Sequence, residues 1–263
     1  MSNTNTILNW RAVSVIATIA SLGILAGCAA EEDEVVVAEE AEMSHDGEGA
    51  ATDGADPATD DVAYLTQLGL IRGHLHVGYM LYDTDLPGLA ETHMKHPREE
   101  IYADLVPAFE ARGCAGFADN LSALTEAVVG RADKADVSTI QQGLLAAIDA
   151  CESSAATDNA ATAASVIENL LRTACDEYAI GIVDGKVNNL HEYQDAWGFT
   201  QVAKVYAESA AFAGNAAVGE EIQAVLASVD SLWPSLNPEG GVDGDAAKLL
   251  EAANAIQALA AGL

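Results

Sequence analysis

Basic residues are scarce in this 263-residue chain. Only 11 lysines and arginines stand against 41 aspartates and glutamates, which gives a formal net charge of −30. A surface with this charge repels phosphate backbones, so the composition argues against nucleic-acid binding. It favours attraction of cations, or simply solubility in a salty medium. Aromatic residues make up 5% of the chain, and the alanine-rich remainder suits closely packed helices.

Several patterns are missing as well. The chain has no P-loop, no GxSxG and no CxxC motif, and no serine lies in a recognisable nucleophile motif, so we name no catalytic residue. No segment alternates apolar and polar residues, and we find no hairpin signal. From residue 62 onward the apolar period is helical. The fold is therefore predicted to be all-α, an antiparallel up-down bundle of about seven to nine helices in one domain, 62–263.

The helices are predicted from this period and from proline and glycine positions. Pro97 should begin a helix that Pro107 bends, Gly198 should break or weaken a later helix, and Asp184-Gly185 marks a turn. The predicted ranges are 62–82, 87–95, 97–112, 117–131, 137–151, a sixth helix ending at 182, 190–213, 218–232 and 245–260.

The N-terminus has the features of an export signal. An apolar run over 12–26 ends in Leu25-Ala26-Gly27-Cys28, which resembles the bacterial lipobox. The resemblance implies that 1–28 is a lipoprotein signal peptide ending in lipidated Cys28, with an anchor in the outer membrane and the domain in the periplasm. Residues 29–61 carry thirteen acids and no base, which predicts a disordered acidic tether.

The remaining cysteines would lie in an oxidising compartment, where a disulfide is allowed. Cys114 lies in a turn and Cys151 near the end of a later helix, places that fall at the same end of an up-down bundle. We expect a Cys114–Cys151 disulfide, with Cys175 a buried thiol inside a helix. Three reduced, packed cysteines are the alternative.

Histidines are concentrated in the stretch 69–109, which holds four of the six. On the first helix, His74 shares a face with Leu70, Ile71 and Leu81 and points into the core, whereas His76 lies on another face. Gly73 and Gly78 weaken this helix by roughly 1 kcal/mol each relative to alanine. Both make sense if a neighbouring helix or a ligand approaches closely.

Two further pieces complete the candidate site. His93 and His96 have ligand spacing with a carboxylate four residues later, Glu100, while Glu99 would lie in the first turn after Pro97. His191 and Asp195 share a helix face, where a carboxylate can orient a ligating imidazole. The predicted metal ligands are His74, His76, His93, His96, Glu100, His191 and Asp195. Imidazole with carboxylate indicates iron first, with copper or zinc next.

A histidine-bearing first helix in an all-helical lipoprotein resembles the imelysin-like proteins of bacterial iron uptake. Their G-x-H-x-x-E motif is not matched, since its glutamate would fall at Val77 or Tyr79, and no residue is carried over. The resemblance implies periplasmic metal handling, with a metal transporter or an outer-membrane receptor as partner. We expect a lipid-anchored protein that binds a transition metal or metal complex for uptake or storage. A metal-dependent enzyme at the same site and a metal-free interaction lipoprotein are the alternatives.

Overall fold

The computed structural model describes residues 54–263, which form a helical bundle and confirm the all-α prediction. The predicted signal segment, Cys28 and most of the predicted tether lie outside the described residues. The helices are α1 (Asp61–Asp83), α2 (Pro87–His96), α3 (Ala103–Arg112), α4 (Ala118–Val129), α5 (Lys134–Glu152), α6 (Ala160–Gly181), α7 (Leu190–Ala207), α8 (Ala216–Ser228) and α9 (Ala247–Ala260).

Helix α1 is the central helix of the described part of the chain. It packs against α2, α5, α6 and α7 and buries most of its residues, including Leu65, Leu68 and Leu75. Asp60 caps it by accepting a hydrogen bond from the Ala63 N–H at 2.8 Å. The predicted amphipathic helix is therefore buried on nearly all sides.

Helices α2 and α3 form one helical run rather than two helices separated at Pro97. A π-helical segment, Pro97–Tyr102, joins them, and His96 has helical backbone angles rather than those of a cap. The predicted helix start at Pro97 is wrong because the missing proline N–H is accommodated inside the helix by a wider turn. His96 and Glu100 therefore lie on consecutive helical turns.

Two other local predictions need correction. Residues 182–187 form a short antiparallel hairpin, β1 (Ile182–Val183) and β2 (Lys186–Val187). Its turn has positive φ at both Asp184 and Gly185, the type I′ arrangement that an Asp-Gly pair favours, so the hairpin signal was present in the predicted turn. Helix α7 continues through Gly198 without a break and ends at Ala207, before the predicted 213.

Glycines bring α1 against its neighbours, as the sequence led us to expect. A Cβ on Gly73 would lie 2.4 Å from the Phe199 ring, and one on Gly198 would lie 2.6 Å from the Gly73 carbonyl oxygen. The backbones of α1 and α7 therefore cross in close contact at this pair. On another side, Met94 of α2 fills the space beside Gly78, where a Cβ would meet its methyl group at 2.8 Å.

Cys114 and Cys151, the pair chosen from the sequence, form a disulfide that connects the turn after α3 to the end of α5. Cys175 lies in α6 and is half-buried rather than buried. None of the helices in residues 54–263 has the length and hydropathy that a bilayer crossing requires.

Candidate metal centre

Asp195 of α7 is the carboxylate at the centre of a buried histidine cluster. Its Oδ1 accepts hydrogen bonds from Nδ1 of His74 at 2.7 Å and from Nδ1 of His93 at 2.8 Å. All three residues have no solvent exposure. A carboxylate buried to this degree needs charged or hydrogen-bonding partners, and α1 and α2 supply them here.

The position of Asp195 is fixed by the way α7 begins. Asn189 caps the helix by accepting a hydrogen bond from the His191 N–H at 3.1 Å. The loop after Leu232 then covers the first turns of α7, because Trp233 donates to the Tyr193 carbonyl at 3.0 Å. Two more bonds attach this loop: Tyr193 donates to the Ser235 carbonyl and Gln194 to the Leu236 carbonyl, at 2.9 and 2.7 Å.

Gln194 is a site residue that the sequence analysis missed. Its Oε1 accepts a hydrogen bond from Nε2 of His93 at 2.8 Å, while its Nε2 is bound to the loop. Both ring nitrogens of His93 therefore face acceptor oxygens, Asp195 on one side and Gln194 on the other. These two hydrogen bonds fix the orientation of the His93 ring, so the ring cannot turn toward an incoming ion without breaking one of them. An amide next to a candidate ligand was the only signal in the sequence.

His96 and Glu100 form the outer part of the cluster. The His96 ring lies between two carboxylates, with Nδ1 3.8 Å from Asp195 Oδ2 and Nε2 3.9 Å from Glu100 Oε1. These distances exceed hydrogen-bond length. The side chains are 19% and 32% exposed, so solvent reaches this part of the cluster.

Opposing effects set the charge states in the cluster. Burial raises the pKa of Asp195, but the His74 and His93 rings outweigh it and hold the pKa well below 3.8. Burial likewise lowers the pKa of His96, yet the carboxylates of Asp195 and Glu100 outweigh it and raise that pKa above 6.5. The cluster therefore combines an ionised buried carboxylate with an imidazole that readily takes up a proton.

Asp195 Oδ2 is buried and has no hydrogen-bond partner. A buried acceptor in that state costs about 1–3 kcal/mol. Since His96 Nδ1 lies at 3.8 Å on the same side, a cation or its water ligand bound beside His96 would satisfy this oxygen. The orphaned atom thus fits a metal site next to the cluster.

Two groups of three residues have ligand atoms close enough to hold an ion. One is His74, His93 and Asp195, all buried, and the other is His74, His96 and Glu100; within each group the atoms lie within 4.8 Å of one another. Each group contains two imidazoles and one carboxylate, the donor set of many non-haem Fe(II) sites and of some zinc sites. His74 belongs to both.

The structure thus brings together five of the seven predicted ligands. His191 lies at the edge, with its ring 5.6 Å from that of His93, and belongs to neither group of three. Asp195 binds His74 and His93, and its expected role in orienting His191 stays a prediction. His76 lies on a different side of α1, where it stacks on Trp197 at 5.1 Å.

Comparison with protein families gives one match. Residues 153–263 are similar to the iron permease-associated 4-helix bundle domain. The matched residues contain α6, α7, α8 and α9, and thus Asp195, Gln194 and His191, whereas the four other cluster residues precede them. Comparison with curated proteins and comparison with solved structures give no match.

Proposed function

We propose that this chain binds a divalent transition metal, iron in first place, and holds it for uptake or storage in the bacterial periplasm. The observation that carries the proposal is the convergence of His74, His96 and Glu100 beside the buried Asp195. Further support comes from the similarity of residues 153–263 to a domain associated with iron permeases. We infer from it that the partner is a metal transporter.

The outer group is the one we assign to the incoming ion. Nδ1 of His74 is bound to Asp195, so ligation through Nε2 is the arrangement that keeps this hydrogen bond. A carboxylate behind a ligating histidine fixes its tautomer and makes it a better donor, an arrangement common in metal proteins. Asp195 would act in this way, and His93 with Gln194 would hold Asp195 in place.

Partial exposure of His96 and Glu100 gives the ion a path from solvent. Three protein ligands leave coordination positions to water or to a ligand from the transporter, which suits a site that must release its cargo. The net charge of −30 raises the local concentration of cations near the protein. Copper and zinc can occupy the same donor set, and competition among the three ions decides the preference.

Metal titration of the purified protein tests the proposal. Fe²⁺ under anaerobic conditions, Zn²⁺ and Cu²⁺ are each titrated against the wild type, His96→Ala and Glu100→Gln, with bound metal measured after gel filtration. We expect one tightly bound ion in the wild type and weaker binding in both variants. His76→Ala and Glu99→Gln are the matched controls. His76→Ala removes an imidazole from a different face of α1, and Glu99→Gln neutralises the carboxylate next to Glu100 in the chain.

Equal metal content in the wild type and in both ligand variants would refute the site. A wild type that binds zinc or copper but no Fe²⁺ would keep the site and overturn the preference for iron.

We also propose that Cys28 carries the lipid that attaches the protein to the outer membrane. The support is the Leu25-Ala26-Gly27-Cys28 sequence after an apolar run. Membrane fractionation of cells that make Cys28→Ala tests it: the wild type should be found with outer membranes and the variant should not. Equal amounts of the two forms in the outer-membrane fraction would argue against lipidation.

A further inference from the structure

A second site lies in a pocket between α1, α5 and α7 that shares no residue with the histidine cluster. Its volume is about 340 Å³, within the roughly 300–1,000 Å³ range of small-molecule pockets. His76, the histidine that the cluster leaves out, is among its lining residues. Because the two sites have no lining residue in common, a ligand can bind in the pocket whether or not the histidine cluster holds a metal.

The walls of the pocket are largely apolar. Leu145 of α5 and Val202 and Val205 of α7 line it. Val205 is 67% exposed, an unfavourable position for an aliphatic side chain in a protein with so charged a surface. A ligand with an apolar body would cover Val205 and gain free energy from its burial.

One end of the pocket carries a charged group with an excess of negative charge. Arg72 donates to both oxygens of Glu152, at 2.8 and 3.0 Å, and also binds Asp149. Tyr206 donates to Glu152 at 3.1 Å. The guanidinium is thus occupied by two carboxylates, and the three charges sum to −1. Since Asp149 keeps 68% of its side-chain surface exposed, it can take a further cationic partner.

His76 and Ser209 also line the pocket. The His76 ring stacks on Trp197 with 15° between the ring planes. The Ser209 hydroxyl oxygen is buried without a hydrogen-bond partner. A buried hydroxyl of this kind costs free energy until a ligand or water bonds to it.

We propose that this pocket binds a small organic cation: a primary ammonium group on an apolar body. The ammonium lies at Asp149 and Glu152, the body lies on Leu145, Val202 and Val205, and a polar atom of the ligand reaches Ser209. Anionic ligands are excluded, because Arg72 is already paired and the remaining charge repels them.

Three probes with one body and different head groups test the proposal. Calorimetry of the full mature chain is carried out with 4-phenylbutylamine, 4-phenylbutanol and 4-phenylbutyrate at pH 7. We expect saturable one-to-one binding of the amine, binding of the alcohol weaker by about tenfold, the effect of one charge-assisted contact, and no binding of the carboxylate.

Surface variants assign the binding to the pocket without altering the core. Asp149→Asn should lower the affinity for the amine about threefold to tenfold, as expected for a partly exposed ionic contact. The affinity for the alcohol should not change. The control for Asp149→Asn is Asp104→Asn, which removes one exposed negative charge on α3. Val205→Trp should block all binding, whereas Val129→Trp, at an exposed valine of α4, should leave it intact.

Absence of saturable amine binding to the wild type would overturn the proposal. So would binding of the carboxylate equal to that of the amine, or equal losses in Asp149→Asn and Asp104→Asn. Metal binding measured in the same variants should be unchanged, which separates a failure of this proposal from a failure of the metal site.

Discussion

The two sides of α1 differ more than their spacing in the chain suggests. His74 and His76 are two residues apart, yet His74 is buried against Asp195 and two further histidines, whereas His76 stacks on Trp197 beside a pocket. One side concentrates imidazole and carboxylate donors, and the other combines apolar walls with a paired arginine.

The difference shows that histidine density alone does not define a site. What separates His74 from His76 is the residue of α7 that each one meets, which is Asp195 for His74 and Trp197 for His76. These residues are two apart on α7 as well. The crossing of α1 and α7 at Gly73 and Gly198 therefore determines which histidine meets the carboxylate.

The largest expected effect is the difference in metal affinity between alanine substitutions of His74 and of His76. His74→Ala removes a donor from both groups of three, so metal affinity should fall by more than the about 10–100-fold that loss of a supporting residue costs. His76→Ala should leave it unchanged. Titration with Fe²⁺ or Zn²⁺ measures both, and circular dichroism checks that the buried variant still folds. Similar losses in the two variants would remove the distinction between the sides.

The helix crossing can be tested through stability. Gly73→Ala places a Cβ 2.4 Å from the Phe199 ring, and such overpacking should cost about 1–3 kcal/mol of unfolding free energy. Gly143 is an exposed residue of α5 where a Cβ meets nothing within 4 Å. Gly143→Ala should therefore raise the unfolding free energy by up to about 1 kcal/mol. Urea unfolding measures both. Equal stabilisation by the two alanines would show that α1 and α7 are not in close contact.

Acid unfolding tests the charge of Asp195 in the metal-free protein. The pKa of Asp195 is held well below 3.8 in the folded state. The ionised carboxylate therefore contributes fully to the free energy of unfolding above the unfolded pKa of about 3.9, and this contribution is lost as pH falls through the folded pKa. The wild type should lose stability below about pH 4, and Asp195→Asn should lose less over the same interval. Asp104→Asn, at an exposed position, should follow the wild-type profile. Parallel profiles for all three would argue against an ionised Asp195.

The smallest effect is a difference in titration between two histidines. The pKa of His76 is lowered from 6.5 by burial, and that of His96 is raised above 6.5 despite burial, because Asp195 and Glu100 lie beside it. NMR of the imidazole C–H signals in the metal-free protein should show His96 titrating at higher pH than His76. The reverse order would contradict the assigned surroundings. Glu100→Gln should move His96 toward lower pH and leave His76 in place.

Most of the fold could be predicted from the sequence, because helical periods are local and the capping residues Asp60 and Asn189 lie next to the helices they begin. The helix start predicted at Pro97 was wrong, because a proline is compatible both with a helix start and with a wider turn inside a helix. The Asp184-Gly185 turn was predicted without its hairpin, since two-residue strands are too short to show an alternating pattern.

The site could be predicted as a set of residue types but not as a set of partners. Asp195 binds His74 and His93, which lie 121 and 102 residues away, and no local spacing encodes such pairs. Its neighbour His191, four residues away, was the partner that spacing suggested. His76 was included on composition alone, and Gln194 was missed because an amide is not a ligand type that a search for metal donors selects.

Because His96 and Glu100 flank the start of the π-helical segment Pro97–Tyr102, the geometry of the outer group depends on the number of residues in that segment as well as on their identity. A single-residue deletion within it would turn everything beyond by roughly 100° relative to α2, the rotation of one helical residue. Glu100 would leave His96, or Tyr102 would lose its place between Phe109 and Phe117. A deletion here can therefore remove the carboxylate ligand from the outer group without any substitution.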